Sequence, residues 1–170
     1  MSRGNLQRIQ TRKKIEAARK YLSFRLGDRT YGINMLYVRE IAGRQDILPI
    51  SKVPPYVRGV INKFDEVIPV IDLKERLDLP QKPPSSRSCI VIVEIIQRLK
   101  MVCGLLVDAV EEVNTIPVGA IVQGTDADDV CVLGVAELEA GPQIELLNIY
   151  RLLDPEEIPV IETTRALRVV

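Results

Sequence analysis

Apolar side chains recur along the chain in short β-branched runs, separated by glycines, prolines and charged tips. Valine and isoleucine together number 39 of 170 residues, against seven phenylalanines and tyrosines. Eleven prolines and ten glycines cut the runs, a pattern that predicts many short strands. Tyr21–Leu26 is a predicted strand, Gly27-Asp28-Arg29 a hairpin turn and Thr30–Ile33 the return strand. Asn34–Glu40 reads as a helical turn or irregular crossing, and Ile41–Ile50 as a strand pair interrupted near Pro49. Ser51–Gly59 reads as an extended entry into a short helical turn. Val60–Lys63, the tip Phe64-Asp65-Glu66 and the strand Val67–Ile71 follow. Asp72–Leu79 places Leu73 and Leu77 four apart around Lys74, Glu75 and Arg76, which predicts one short helix. Pro80–Ser88 is a linker.

The second half repeats the style. Ser88–Ile96 and Met101–Val107 are predicted strands joined by the turn Gln97–Lys100. Val113–Val118 and Cys131–Val135 flank the acidic loop Gly124–Asp129. Ile144–Leu147 is a strand feeding a final helical turn, Asn148–Leu153, and Pro159 forbids an uninterrupted helix from Glu156 onward.

The repetition extends to particular residues. At an offset of 72, Gly32-Ile33 aligns with Gly104-Leu105, Val38 with Val110, Glu40 with Glu112 and Ile41 with Val113. Near 75, Gly59-Val60 aligns with Gly134-Val135. At 76, Ile71-Asp72-Leu73 aligns with Leu147-Asn148-Ile149 and Leu77 with Leu153. Four blocks in one order point to a duplication. Two small sheets, each short of a core, would bury their open faces on one another.

Charge changes the picture at one end only. The net charge is zero, but residues 1–20 carry +6 and the remainder −6. That basic arm is read as a solvated terminus, with contact to phosphate or anionic lipid as the competing reading. The N-terminus lacks the apolar core of a signal peptide, and the longest apolar runs are too short to span a bilayer. The expected location is the cytosol, with no membrane insertion.

The chain has no histidine, which excludes Ser-His-Asp and Cys-His nucleophiles and histidine-ligated metals. Cys89, Cys103 and Cys131 fall in no C-x₂₋₄-C pair, so neither zinc nor a disulfide framework is indicated. The loop Gly124–Asp129 holds three carboxylates but lacks the glycine and distal glutamate of a Ca²⁺ loop. Glu40 and Glu112 are the candidate paired acids, though nothing beside them marks a substrate pocket. Cys131 lies next to Asp128 and Asp129, the wrong neighbourhood for a thiolate. No glycine-rich phosphate loop is present, and the acidic body lacks a nucleic-acid surface. This inventory predicts a binding module with no cofactor; a small carboxylate- or metal-dependent enzyme is the alternative from another class.

The stretch Phe24-Arg25-Leu26-Gly27-Asp28-Arg29-Thr30-Tyr31-Gly32-Ile33-Asn34-Met35-Leu36-Tyr37-Val38-Arg39-Glu40-Ile41 resembles the opening of the CheW-like domain family. So do Val53-Pro54-Pro55-Tyr56-Val57-Arg58-Gly59-Val60-Ile61-Asn62 and Val67-Ile68-Pro69-Val70-Ile71-Asp72-Leu73. In the second half, Gly104–Val113 and Leu147–Leu153 agree as well. The resemblance implies a mainly β fold of two five-stranded barrel-like subdomains on a shared core with short helices. It places subdomains at roughly 21–80 and 88–154, intertwined at the ends, between a basic arm (1–20) and a tail (155–170). It also implies a non-enzymatic adaptor that couples chemoreceptor cytoplasmic tips to the regulatory domain of a CheA-type histidine kinase, in membrane receptor arrays. A paralogue that replaces the coupling protein in another pathway is the alternative role.

Carried over position by position, the family's receptor groove maps to Val38, Glu40, Gly59, Val110 and Val113. Valines there would take the apolar stripe of a receptor helix and Glu40 a basic residue; plain core packing explains the valines equally well. Kinase contacts are expected at Asn62, Lys63, Phe64 and Asp65, and at Asp128 and Val130. The tip departs from the family's usual N-L-R-G: Phe64 stands in place of arginine and Asp65 in place of the turn glycine.

Overall fold

The computed structural model describes residues 18–158, apart from 84, 98 and 124–130. Most of the basic arm, the tail from 159 onward, and Asp128 and Val130 therefore lie outside the described residues. Strands β1 (Ala18–Leu26) and β2 (Arg29–Asn34) form the opening hairpin, followed by a 3₁₀ turn at Met35–Tyr37 and β3 (Val38–Ala42). Strands β4 (Val57–Lys63) and β5 (Glu66–Asp72) lead into helix α1 (Leu73–Arg76). The second half comprises β6 (Cys89–Ile96), β7 (Lys100–Val107), β8 (Ala109–Pro117), β9 (Ile121–Val122), β10 (Val132–Ala136), β11 (Ile144–Leu147) and helix α2 (Ile149–Leu152).

Two sheets result, one of six strands in the order β8-β1-β2-β11-β10-β9 and one of five in the order β3-β6-β7-β5-β4. Segments 21–80 and 88–154 each contribute to both, because each half donates its first hairpin to the other half's sheet. The central pairing is parallel in both, β2 with β11 and β5 with β7. The sixth strand is the two-residue β9, paired with β10. Its counterpart in the smaller sheet is the isolated bridge from Leu48 to Val60.

The repeat read from the sequence reappears as matched irregularities. Bulges place one extra residue on β3 between Val38 and Glu40 and on β8 between Val110 and Val113. A second pair falls between Val57 and Gly59 on β4 and between Val132 and Gly134 on β10. Bulges tighten local twist, so these four curl both sheets alike. Gly32 and Gly104 also match: a Cβ would lie 2.9 Å from Ile144 and 2.6 Å from Ile90, respectively.

Period-two alternation divides the apolar residues among three cores. Leu22, Phe24 and Leu26 from β1 meet Val91, Val93, Cys103 and Leu105 in a core shared by both sheets. Tyr21, Ile116, Ile144 and Leu146 form a separate cluster within the larger sheet. Ile61, Ile68, Val70, Ile90 and Ile92 form another within the smaller one.

Several local expectations change. Residues 51–56 form no helix; a single turn at Pro55-Tyr56, closed by the Val57 amide donating to the Pro54 carbonyl at 3.0 Å, leads into β4 at Val57. The expected strand pair over Ile41–Ile50 is instead the end of β3 followed by the Leu48 bridge. Helix α1 stops at Arg76, because Asp78 turns into the left-handed region at φ 57°. Asp72 caps it, accepting from the Lys74 and Glu75 amides at 3.0 and 3.3 Å, and Asn148 caps α2 in the same manner.

Helix α1 is also where the two sheets are tied together. Lys74 pairs with Asp108 at 2.8 Å, and the same carboxylate accepts the Gly27 amide at 2.7 Å. Arg76 donates to the Leu152 and Arg151 carbonyls, satisfying α2 from the other half. Past α2, Glu157 accepts a hydrogen bond from the Tyr56 hydroxyl, and Ile158 is buried in the shared core.

Candidate functional site

Val38 and Val110 occupy matched positions beside the bulges of β3 and β8, the outer strands of the two sheets. Both are half-buried and pack against the shared core. Val113 does not join them, since it stands 50% exposed further along β8. Gly59 is buried on β4 with φ 148°, and a Cβ there would lie 2.1 Å from the Leu48 carbonyl oxygen. Its contribution is to let the Leu48 bridge close.

Glu40 and the β4–β5 tip belong to opposite edges of the five-stranded sheet, yet side chains bring them together. Glu40 Oε1 lies 3.0 Å from Lys63 Nζ, and Arg39 pairs with Glu66 at 3.1 Å. The β3 bulge makes Arg39 an extra residue in the register. Bulges re-aim side chains in this way, and here two successive residues reach the same hairpin.

The tip is a two-residue turn with Phe64 at φ 55° and Asp65 at φ 57°, the geometry that asparagine-glycine normally supplies. Phenylalanine there costs about 1–2 kcal/mol. The Arg39 guanidinium 4.9 Å and the Lys63 ammonium 5.5 Å from its ring centroid offset that cost, at about 0.5–1 kcal/mol each for exposed sites.

With this geometry in place, comparison with known proteins is decisive. The CheW-like domain model matches residues 20–158. The chain belongs to the CheW-like domain family. The chemotaxis protein CheW of Rhizobium meliloti (strain 1021) is 38% identical over 98 residues, which span 58% of this chain and 61% of that protein. The chemotaxis protein CheW of Klebsiella aerogenes is 27% identical over 84% of this chain and 86% of its own. Among solved structures, scaffolding protein TtCheW from Thermoanaerobacter tengcongensis superposes with a TM-score of 0.74 at 31% identity, covering 82% of this chain and 97% of that one.

This CheW-like domain carries an apolar surface that sequence reasoning only partly located. Strand register puts the β4–β5 tip, the β6–β7 turn and the 3₁₀ turn before β3 at one end of the five-stranded sheet. Exposed there are Leu36 (77%), Ile96 (71%), Leu99 (71%) and Phe64 (52%). Only Phe64 was expected. A signal for the others exists, since Ile96 and Leu99 flank a turn where polar residues are usual. The matching end of the six-stranded sheet carries Asp28, Arg29, Glu137 and Gln143, with Gln143 donating to Glu137 at 3.1 Å.

Chemically the described residues are quiet. Burial raises the Cys103 thiol to about 12 and pushes Cys89 up as well, so both stay protonated at neutral pH. Cys89 borders a cavity of about 340 Å³ whose walls include Arg44, Asp46, Ile47, Ile90 and Leu106. Among the described residues no three metal-ligating side chains cluster, and the loop Gly124–Asp129 lies outside them. No described helix is long and apolar enough to cross a membrane.

Proposed function

We propose that the chain is a non-enzymatic coupling adaptor of chemotaxis-type signalling, joining a chemoreceptor cytoplasmic tip to the regulatory domain of a CheA-type histidine kinase. The observation that carries this reading is the exposed apolar end formed by Leu36, Phe64, Ile96 and Leu99. Large apolar side chains gathered on one surface mark a protein interface. Relatives named chemotaxis protein CheW and a solved relative titled a scaffolding protein support the class. The apolar end is assigned to the kinase, and the rim of Val38, Glu40 and Val110 to a receptor helix with a basic residue. Such an adaptor works at the cytoplasmic face of receptor arrays and needs no cofactor.

Titration of the purified protein against a kinase regulatory domain and, separately, a receptor-tip fragment tests the reading. Saturable binding to both is expected. Glu40→Lys weakens binding of the receptor fragment, because reversing a rim charge costs affinity more than packing. Binding to the kinase alone selects the second reading, a paralogue serving another pathway, which the Lys63-Phe64-Asp65 tip favours. Binding to neither refutes both.

A further inference from the structure

Strand β6 runs from Cys89 to Ile96, and its Ile96 end carries the apolar surface assigned above to the kinase. At its other end, roughly 20 Å away for a strand of this length, lies the cavity of about 340 Å³. The segment after β3, the start of β6 and the end of β7 enclose it. Its apolar lining is Ile47, Ile90 and Leu106, which belong to the cluster of the smaller sheet or pack against it. The duplication shows why room is left here. Register puts Ile90 opposite Ala42 on β3, and Tyr21 opposite Asn114, the repeat mate of Ala42, on β8. Tyr21 is buried beside Ile116, Ala136 and Ile144. Where the larger sheet has its own aromatic ring, the smaller one has an isoleucine and a cavity.

Three polar side chains on the cavity wall are uncommitted. Ser88 is 8% exposed, and its amide donates to the Ser85 carbonyl at 3.2 Å. Its hydroxyl has no hydrogen-bond partner among the described residues. Buried hydroxyls are ordinarily bonded, and an exception needs an explanation; a ligand against that wall supplies one. Arg44 and Asp46 carry opposite charges two residues apart, yet neither side chain forms an ion pair or hydrogen bond with a described residue. A guanidinium, a carboxylate and a hydroxyl therefore line one cavity with an apolar floor, each with bonding capacity to spare.

We propose that this cavity binds a free apolar α-amino acid with a side chain about the size of phenylalanine's. The side chain lies on Ile47, Ile90 and Leu106, in the room that Tyr21 takes in the larger sheet. Arg44 takes the carboxylate, Asp46 takes the ammonium, and the Ser88 hydroxyl donates to the carboxylate. Arginine suits that task because its planar fork meets both oxygens, and the cavity volume lies at the small end of ligand sites. The site lies at the far end of the sheet from the apolar surface, so it stands or falls independently of the coupling reading.

Titration of the full chain with L-phenylalanine, followed by amide chemical shifts in two-dimensional NMR, tests the site. Saturable shifts at residues 44–47, 88–90 and 106 are expected, with a Kd on the order of 0.1–1 mM. 3-Phenylpropionate, which lacks the ammonium, and phenethylamine, which lacks the carboxylate, bind about 5–10-fold more weakly. Arg44→Gln and Asp46→Asn, both at exposed positions, weaken phenylalanine by a similar factor and leave Tm unchanged. Ile90→Tyr, which copies the larger sheet, abolishes binding; if that variant unfolds, the Arg44 and Asp46 variants decide. No saturable shift up to about 10 mM phenylalanine, or shifts confined to other residues, overturns the proposal. Equal affinity for the three probes, or undiminished binding in Arg44→Gln and Asp46→Asn, overturns it as well.

Discussion

Replacing Gly59 by alanine separates a folding role from a binding role at a position the family pattern assigns to the receptor groove. At φ 148° an L-residue is strained by about 2 kcal/mol. The new Cβ would sit 2.1 Å from the Leu48 carbonyl oxygen, so the segment at Leu48 must lift. That breaks two backbone bonds, Leu48 to Val60 and back, each 2.9 Å and each worth about 1 kcal/mol. The loss comes to about 4 kcal/mol, a fall in Tm of about 8–16 °C for a chain of this size. Gly134 provides the internal control, because it occupies the matched bulge with an ordinary φ and a Cβ would lie 2.8 Å from the Val122 carbonyl oxygen. Since β9 is a two-residue outer strand, it can shift, and Gly134→Ala costs about 1 kcal/mol, or about 2–4 °C. Thermal unfolding of the two variants by circular dichroism reads the difference. Equal Tm losses would refute the argument from backbone geometry. A Gly59→Ala protein of native Tm that no longer binds the receptor fragment would show that Gly59 acts by contact.

Lys74→Met strands the Asp108 carboxylate with only the Gly27 amide; it costs about 2–3 kcal/mol, given the partial exposure of Asp108, and an unchanged urea midpoint would remove the pair from the account. Ile158→Ala, in the segment after α2, empties a site in the shared core and costs about 2–4 kcal/mol; if that segment is a loose tail, urea unfolding is unaffected. At alkaline pH, burial first and Glu145 second raise the Tyr31 phenol to about 12. The Tyr37 phenol reaches about 12 through its bond to Tyr150 and through burial. Groups raised in the fold favour it fully below their ordinary value near 10 and lose that contribution as pH climbs from 10 toward 12. Stability should therefore fall over that window, with tyrosinate absorbance at 295 nm lagging behind denatured protein; coincident native and denatured titrations would contradict the burial argument.

Sequence periodicity located the strands and the duplication because β-branched runs and repeated Gly-Val steps are local signals. It could not locate the hairpin exchange. Two halves with the same pattern allow β1–β2 to pair with β3 or with its repeat mate β8, and local alternation is identical in either case. The choice is tertiary, made by where Leu22, Phe24 and Leu26 find Val91, Val93 and Leu105. The bulges hid the full extent of β3 and β8, since an extra residue at Arg39 or near Glu111 breaks the period of two. The same bulge concealed the candidate site: a strand without it sends Arg39 and Glu40 to opposite faces.

The duplication bears on function through the features in which the halves differ. Both sheets share bulges, caps, parallel central pairs and close glycine contacts, so those features belong to folding and cannot distinguish one partner from another. What distinguishes them lies off the symmetry: an apolar end on one sheet against a polar end on the other, and a seam of ion pairs against a two-residue strand. Val38 and Val110 obey the symmetry, which makes core packing a sufficient reason for both. Glu40 does not, because its mate Glu112 has no counterpart of Lys63 among the described residues: it offers its backbone carbonyl and amide to Ser23 at 3.0 and 3.3 Å. Glu40 is therefore, with the exposed Val113, a groove residue whose side chain the fold alone does not explain, and its partner Lys63 is where a substitution tells function from architecture.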